Sequence, residues 1–293
     1  CFCEAEDGIL DGDSWLEFRR VLFRSLVDCT ASDAIPSVYP LFMLAGFHIV
    51  TPNKRGNTGT MARYLALRNT ALDHRRRYLY ETTVGAGLPV IENLQNLLHA
   101  GDRLESFSGI LSGSLSFLFG RLEDGLSFSE AVREAMARGF TEPDPRDDLG
   151  GVDVARKVLI LAREAGLSME LSDVALDGLL PPEYGAMGRD EFLSSMPRLD
   201  AHIAGLVTRA KAQGKVLRFV GSIHDGKGSV GLAMVGPENP LFSVRGGENA
   251  LAFTTRYYSP VPLLLRGYGA GAQVTSAGIF ADILRTLNWI REA

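Results

Sequence analysis

The feature that most constrains the fold is a regular alternation of short apolar runs and helical stretches between residues 26 and 81. Strands are predicted over 26–30, 48–51 and 78–81, and helices over 33–45 and 58–76. Strands that alternate with helices at this spacing form a parallel sheet, because each helix carries the chain back across one face. Ligands of such sheets bind at the carboxyl ends of the strands. Thr30, Lys54 and Glu81 lie at those ends, so the sequence predicts an α/β fold with a ligand site there.

Beyond residue 88 the pattern changes, and the strands no longer alternate with single helices. Helices are predicted over 88–100, 112–123, 127–138, 153–165, 192–212 and 273–291, and strands over 103–111, 216–220, 229–235, 249–258 and 261–266. Helices followed by a run of strands indicate a second unit of α+β type.

Composition excludes several classes of function. The 293 residues, 46% of them hydrophobic, are enough for one large or two modest cores. A net charge of −5 without a clustered basic face argues against a nucleic-acid partner. The longest apolar stretch, residues 41–47, is far shorter than the ~20 residues of a membrane helix. The three cysteines, Cys1, Cys3 and Cys29, cannot form a disulfide framework, and no secretory signal is visible, so a cytoplasmic protein is expected.

An acidic, proline-containing segment at residues 141–157 carries the clearest chemical signal. It places five carboxylates within thirteen residues, contains Pro143 and Pro145, and leads into a predicted helix that opens at Asp153. Lys157 lies one helical turn later, so the acid and the amine share a helix face. Carboxylates can hold an amino group and a lysine can move a proton, which predicts an acid–base site. On spacing alone, however, a solvated ion pair is the more frequent explanation of Asp153 and Lys157.

Glycine-rich segments give a weaker signal. The Gly-x-Gly-x-x-Gly motif of an open nucleotide-binding fold does not occur before Leu26. Residues 267–271 are glycine-rich and open the last helix, so their amides can approach a phosphate or a nicotinamide. A close-packed turn is the simpler explanation. Residues 1–25 show neither strand nor helix periodicity and are interpreted as a leader foreign to the natural protein, with an amphipathic arm as the alternative.

Taken together, these segments resemble homoserine dehydrogenase, and most of all the carboxyl-terminal part of the bifunctional aspartokinase/homoserine dehydrogenases. The resemblance covers residues 26–293 and depends on the segments 27–30, 51–54, 81–89, 109–114, 139–157 and 267–271. It implies a reversible oxidation of L-homoserine to L-aspartate semialdehyde with NADP or NAD, a step of the aspartate pathway that leads to threonine and methionine.

The same resemblance implies how the chain is divided. Residues 26–80 and 267–293 would form a partial, Rossmann-like nucleotide-binding domain, and residues 81–266 a substrate-binding and dimerisation domain on a mixed sheet. A homodimer or higher homo-oligomer, and an upstream aspartokinase domain in the natural protein, also follow from the family. The unit with the glycine loop is expected to be missing. The alternative to an active enzyme is therefore a folded fragment that is catalytically inactive.

The resemblance assigns the acid–base chemistry to the acidic segment. Lys157 is implied as the general acid/base, and Asp153 as the residue that binds substrate and orients Lys157. Glu142 would hold the substrate ammonium, with a cap for the following helix as the alternative. Asp148 would either touch the substrate or stiffen the loop.

The remaining implied sites are for cofactor and cation. Residues implied to bind the cofactor are Thr30, Ala31, Lys54, Gly139 and Gly271. For Lys54 the alternative is a surface lysine, and for Gly139 a helix C-cap. A monovalent cation, usually sodium, would be held by the Glu81 carboxylate and the carbonyls of Val84, Ala86 and Leu88, with a plain glycine-rich turn as the alternative. A third hypothesis, independent of the family, places a divalent metal on the acidic segment.

Overall fold

The computed structural model of the chain describes residues 24–292, and the side chains as far as residue 287. Most of the predicted leader 1–25 therefore lies outside the described residues. Ser25, at its end, is the first residue of strand β1. No helix among the described residues is long and apolar enough to cross a membrane.

The first unit is a parallel sheet of three strands in the order β1-β2-β3. Its elements are β1 (Ser25–Val27), α1 (Ile35–Leu44), β2 (His48–Val50), α2 (Met61–Asp73) and β3 (Tyr78–Leu79). The two apolar residues of the central strand β2, Ile49 and Val50, are fully buried, as expected for a sheet covered on both faces. The prediction of alternating strands and helices with parallel pairing is confirmed.

The second unit is a six-stranded mixed sheet in the order β5-β7-β6-β4-β8-β9, with helices on one face. Its strands are β4 (Leu104–Ile110), β5 (Ala175–Leu176), β6 (Val216–His224), β7 (Lys227–Val235), β8 (Glu248–Thr255) and β9 (Leu263–Tyr268). Its helices are α3 (Val90–His99), α4 (Gly113–Glu123), α5 (Phe128–Ala137), α6 (Arg146–Leu149), α7 (Val152–Glu164), α8 (Arg189–Ser195) and α9 (Pro197–Ala212). The last helix, α10 (Ala272–Glu292), returns the chain to the first unit. Since β5 pairs in parallel with β7 and the other pairs are antiparallel, the predicted fold class is confirmed.

Helix α7 lies unusually close to the mixed sheet. Its buried stripe Val154, Val158 and Leu161 faces β6 and β7. A Cβ atom built on Gly221 of β6 would lie 2.6 Å from Val158 Cγ2, and one on Gly228 of β7 would lie 3.2 Å from Val158 Cγ1. Glycine at these two positions therefore allows the approach and fixes the height of α7 above the sheet.

Three predicted boundaries are wrong for identifiable reasons. Residues 192–212 form two helices, because Pro197 lacks the N–H that would continue the first. The third strand ends at Leu79, since the N–H of Glu81 donates to the Asp282 carboxylate rather than to a neighbouring strand. Strand β8 stops at Thr255, whose hydroxyl donates to Asp102.

Candidate active site

The centre of the candidate site is the Asp153 carboxylate, which lies between two lysines. Its Oδ2 atom is 2.8 Å from Lys157 Nζ, and its Oδ1 atom is 3.1 Å from Lys54 Nζ. Lys157 Nζ also donates to the carbonyl oxygen of Leu111 at 2.7 Å. Asp153 lies in the first turn of α7, where the helix dipole favours a negative charge. The carboxylate thus joins Lys54, which follows β2, to the amine carried by α7.

The exposure of these side chains differs from that of a surface ion pair. Only 11% of the Lys157 side chain is exposed, and 27% of that of Lys54, whereas Asp153 is 47% exposed. Asp153 and the Leu111 carbonyl account for two of the three protons of the Lys157 ammonium, and the side chain lines a cleft, so the third proton is available to a ligand there. Burial therefore argues against the solvated ion pair that spacing alone favoured.

The two lysines determine the electrostatics of the carboxylate. Burial disfavours the charged form of Asp153, but attraction by Lys157 and Lys54 outweighs it, so the pKa of Asp153 lies well below its usual value. For Lys54, burial lowers the pKa, the nearby Lys157 lowers it further, and only Asp153 opposes the change. The site therefore holds the ionised carboxylate of Asp153 beside the amine of Lys54, which loses its proton more easily than a usual lysine.

The acidic segment is folded around Asp148. Its Oδ2 atom accepts the N–H of Glu142 at 2.8 Å, and its Oδ1 atom accepts the Ser114 hydroxyl at 2.6 Å. Burial raises the pKa of Asp148, although these two hydrogen bonds oppose the shift. The Glu142 side chain is exposed and does not cap either α6 or α7 among the described residues. Asp148 thus shapes the loop, and the Glu142 carboxylate remains available to a ligand.

Two clefts meet at Asp153. The first, of about 400 Å³, is called the acidic cleft here and is lined by Ser112, Gly113, Ser114, Gly139, Phe140, Thr141, Glu142, Asp148, Asp153, Lys157, Gly269 and Ala270. The second, of about 180 Å³, is called the sheet-edge cleft and is lined by Thr30, Ala31, Pro52, Asn53, Lys54, Arg55, Asp153 and Arg156. Acidic groups dominate the first and three cations line the second. The arrangement suits an amino compound in one cleft and an anionic molecule in the other.

The sheet-edge cleft has a scaffold that sequence reasoning missed. Buried Asp28 accepts hydrogen bonds from the Tyr39 hydroxyl, from Asn53 Nδ2 at 3.1 Å and from the N–H of Thr30 at 2.8 Å. Burial would raise the pKa of Asp28, but these bonds from Tyr39, Thr30 and Asn53 lower it overall. Asp28 and Asn53 belong to the segments 27–30 and 51–54 that carried the resemblance. Their signal was present, but no pattern in the sequence joins them to Tyr39.

The structure separates the residues that were implied to bind the cofactor. Thr30, Ala31 and Lys54 line the sheet-edge cleft together. Gly139 ends the turn after α5 with φ +70° and lines the acidic cleft instead. Gly271, with φ +121°, lies beside Ala270 at the start of α10. Gly139 directly follows the C-cap residue Arg138, so it fits the predicted glycine at a helix end, and it lines the acidic cleft, as does Ala270 next to Gly271.

The residues implied for a monovalent cation form a buried turn between the units. The Glu81 carboxylate accepts the N–H groups of Ile91 and Glu92 at 2.7 and 2.9 Å, and burial raises its pKa to about 7. Gly85 and Ala86 both have positive φ, which turns the chain sharply. Among residues 24–287, no donor contacts the carbonyl of Val84 or Ala86, although both residues are buried. Buried carbonyls without donors are suited to a cation.

The divalent-metal hypothesis for the acidic segment has no support in the geometry. Within the described part of the chain, no three His, Cys, Asp or Glu side chains converge as metal ligands would. In the acidic segment, Asp144 is instead paired with Arg146, and Asp148 with Ser114.

Replacing Gly269 with alanine is expected to destabilise the protein. A Cβ atom there would lie 2.0 Å from Nδ2 of Asn249, whose side chain is fully buried and has no room to withdraw. Overpacking of this kind costs about 1–3 kcal/mol, measurable as a lower denaturant midpoint. Gly205→Ala is the control, since it adds a methyl group in open space within α9 and should stabilise the protein slightly. Equal midpoints for wild type and Gly269→Ala would contradict the geometry.

A parallel sheet with an anion-suited cleft at its edge, joined to a second unit that places a buried lysine beside it, is the arrangement expected of a dinucleotide-dependent dehydrogenase. Two family models match the chain: homoserine dehydrogenase over residues 89–284, and the homoserine dehydrogenase NAD-binding domain over residues 18–81. The chain belongs to the homoserine dehydrogenase family.

Individual relatives agree with this assignment. The chain is 58% identical to a bifunctional aspartokinase/homoserine dehydrogenase of Haemophilus influenzae over 94% of its own length and 34% of that protein. It thus spans about a third of the length of such relatives. Among solved structures, a Candida auris protein of unknown function matches with a TM-score of 0.88 and 37% identity, covering 97% of this chain and 82% of that one. A hyperthermophilic archaeal homoserine dehydrogenase mutant in complex with NADPH matches with a TM-score of 0.70 and 26% identity, covering 90% of this chain and 71% of that one.

Proposed function

We propose that the protein interconverts L-homoserine and L-aspartate semialdehyde with NADP or NAD. The observation that carries the proposal is the position of Asp153, which lines both clefts and holds Lys157 on one side and Lys54 on the other. Oxidising an alcohol requires a hydride acceptor and a proton acceptor at the same carbon–oxygen bond. Lys157, a buried lysine of the acidic cleft that pairs with the shared residue Asp153, meets the second requirement.

The acidic cleft supplies the groups that an amino alcohol needs. The exposed Glu142 carboxylate is the partner for the substrate ammonium, and Asp148 holds the N–H of that same residue in place. Asp153 orients the Lys157 amine. In the oxidation direction the neutral amine takes the hydroxyl proton as the aldehyde forms. In the reverse direction the ammonium form returns that proton to the carbonyl oxygen. The nicotinamide, when bound, accepts or supplies the hydride.

The sheet-edge cleft is the proposed cofactor site. Lys54, Arg55 and Arg156 give it a positive lining that suits an anionic dinucleotide. The hyperthermophilic archaeal homoserine dehydrogenase mutant that this chain resembles is in complex with NADPH, which favours a nicotinamide cofactor for this chain too. The choice between NADP and NAD depends on contacts to the ribose, and a titration with each reduced cofactor decides it.

A monovalent cation, sodium, is proposed for the buried turn at residues 81–88. The buried Glu81 carboxylate supports it, as do the carbonyls of Val84 and Ala86, which accept no hydrogen bond from the described residues. Replacing sodium chloride by a chloride of a bulky organic cation is expected to lower the melting temperature of the wild type. Glu81→Gln should lose most of that dependence, and Glu238→Gln, an exposed change elsewhere, should keep it. A wild type insensitive to the change of cation would exclude the site.

Two assemblies are also proposed from the family. The natural protein would carry an aspartokinase domain upstream, as the names of the bifunctional relatives state for them. The chain would form homodimers through residues 81–266, for which the mixed sheet offers a face not covered by its own helices, around Ser222 and Ser229. Light scattering tests the second proposal directly.

The alternative proposal is a folded but catalytically inactive fragment. It is favoured by the parallel sheet, which has only three strands among the described residues. A fluorescence titration with NADPH and NADH, followed by the homoserine-dependent change in nicotinamide absorbance, separates the two proposals. Saturable binding with turnover supports the enzyme. No binding by a folded protein supports the inactive fragment.

A further inference from the structure

Helix α7 also carries two buried charged residues, at the end opposite to Asp153. Arg163 and Glu164 lie in its last turn and are consecutive, and their side chains are 0% and 3% exposed. Both reach into the first unit. Glu164 pairs with Arg68 of α2 and accepts from Gln95 Nε2 at 2.8 Å. A charged group this deeply buried destabilises the fold unless partners compensate it, so the contacts of Arg163 are expected to be structurally important.

Arg163 donates to the main chain of the loop that follows Lys54. Its Nη1 atom is 2.8 Å from the carbonyl oxygens of both Asn57 and Gly59. Its other nitrogens are also occupied: Nε donates to the Met169 carbonyl at 2.9 Å, and Nη2 pairs with Glu170 at 3.0 Å. The guanidinium is therefore held in one orientation and cannot release the loop without losing several bonds.

The loop at residues 55–60 is hydrogen-bonded to the backbone of Lys54. The Lys54 carbonyl accepts the N–H groups of Asn57 and Thr58, each at 3.1 Å, and the Thr58 hydroxyl at 3.0 Å. Glu170 fixes the far end of the loop, because its Oε1 atom accepts the N–H of Met61, where α2 begins. The backbone of Lys54 is thus tied through a single compact turn to the guanidinium on α7.

From these contacts we infer that Arg163 is a positioning residue that sets the register between Lys54 and Asp153. One rigid helix carries Asp153 in its first turn and Arg163 in its last, so it contacts the Lys54 side chain at one end and the turn after Lys54 at the other. The functional consequence rests on the proposed function: Arg163 would hold the cofactor-side lysine in place without touching either ligand.

Selective labelling of lysines tests the inference without requiring activity. The full chain is treated with a limiting amine-acylating reagent, and the modification rates of Lys54 and Lys157 are read from peptide masses. In Arg163→Ala, the Lys54 rate is expected to rise by about tenfold, the change expected when charge-assisted hydrogen bonds that close the loop are lost. The Lys157 rate should be unchanged, because its bonds to Asp153 and to the Leu111 carbonyl do not involve Arg163.

A matched control separates positioning from general destabilisation. Arg218 is also buried, with a 1% exposed side chain, and also donates to main-chain carbonyls, those of Leu217 and Phe242, but in the mixed sheet. Arg218→Ala should destabilise the protein and leave the Lys54 rate as in wild type. A Lys54 rate that is unchanged in Arg163→Ala, or raised equally in both variants, overturns the inference.

Two further measurements complete the test. If Arg163→Ala fails to fold, Arg163→Lys and Glu170→Gln replace it, and each should raise the Lys54 rate by a smaller factor. In the active protein, Arg163→Ala should raise the KM for the cofactor more than it lowers kcat. If the wild type shows no turnover, the proposed function fails, while the labelling still decides the role of Arg163.

Discussion

Replacing Lys157 with alanine is expected to reduce homoserine-dependent turnover by ~10²–10⁴-fold, the usual contribution of a positioned general acid/base. The reason is geometric: Lys157 is the buried amine of the acidic cleft, and Lys54, on the other side of Asp153, lines the other cleft. Stability should change only modestly, since Asp153 keeps its contact with Lys54 and one carbonyl, that of Leu111, loses its donor. Steady-state rates and a denaturation curve give both quantities.

The control for this prediction is Lys227→Ala, an exposed lysine at the start of β7, which should keep the wild-type rate. Binding of the nicotinamide to Lys157→Ala should also be close to wild type, because that amine does not line the sheet-edge cleft. A Lys157→Ala variant with wild-type turnover would show that the proton is carried by another group.

Replacing Asp153 with asparagine is expected to lower turnover by about 10²-fold, the loss that follows from misplacing a catalytic group by about 1 Å. The change removes the counter-ion that Lys54 and Lys157 share and leaves two amines close together. The pKa of Lys54 should then fall further below its usual value, because its only opposing influence is gone. Turnover measured against pH, together with the titration of Lys54, tests both statements.

The same substitution has a predictable effect on stability against pH. The pKa of Asp153 is lower in the folded state than in the unfolded chain, so its ionised form stabilises the fold above about pH 4. That contribution disappears as the pH falls through the folded pKa. Because 47% of the side chain is exposed, solvent screening keeps the difference near the ~1 kcal/mol of exposed pairs. Asp153→Asn should be less stable than wild type at pH 7, and the two should converge in acid. Asp147→Asn, an exposed change in the same acidic segment, is the matched control and should keep wild-type stability at pH 7.

The sequence predicted the parallel unit well because its strands are short, apolar and separated by complete helices. It predicted the acidic segment for a related reason, since the i, i+4 spacing of Asp153 and Lys157 fixes their separation wherever the helix lies. It did not predict that Lys54 would share that carboxylate, because the contact joins residues 99 positions apart. Long-range contacts of this kind leave no local pattern.

Other elements were missed for local reasons. Strand β5 has only two residues, too few for any periodicity, and it pairs with β7 only because the chain returns there. The break between α8 and α9 was marked by Pro197, which outweighs the helical pattern around it. The scaffold of Asp28, Tyr39 and Asn53 was hidden because its three members belong to different elements.

The close packing of α7 against Gly221 and Gly228 limits how the acidic cleft of this protein could accept a different ligand. A helix with no clearance above its sheet cannot slide or tilt to fit a longer or bulkier molecule, since any larger residue beneath it would push Asp153 and Lys157 out of place together. Adaptation would have to come from the acidic loop at residues 141–148, which borders the same cleft and does not lie between α7 and the sheet. Libraries that vary this loop, with α7 and the two glycines beneath it left intact, are the rational starting point for changing the proposed specificity for an amino alcohol.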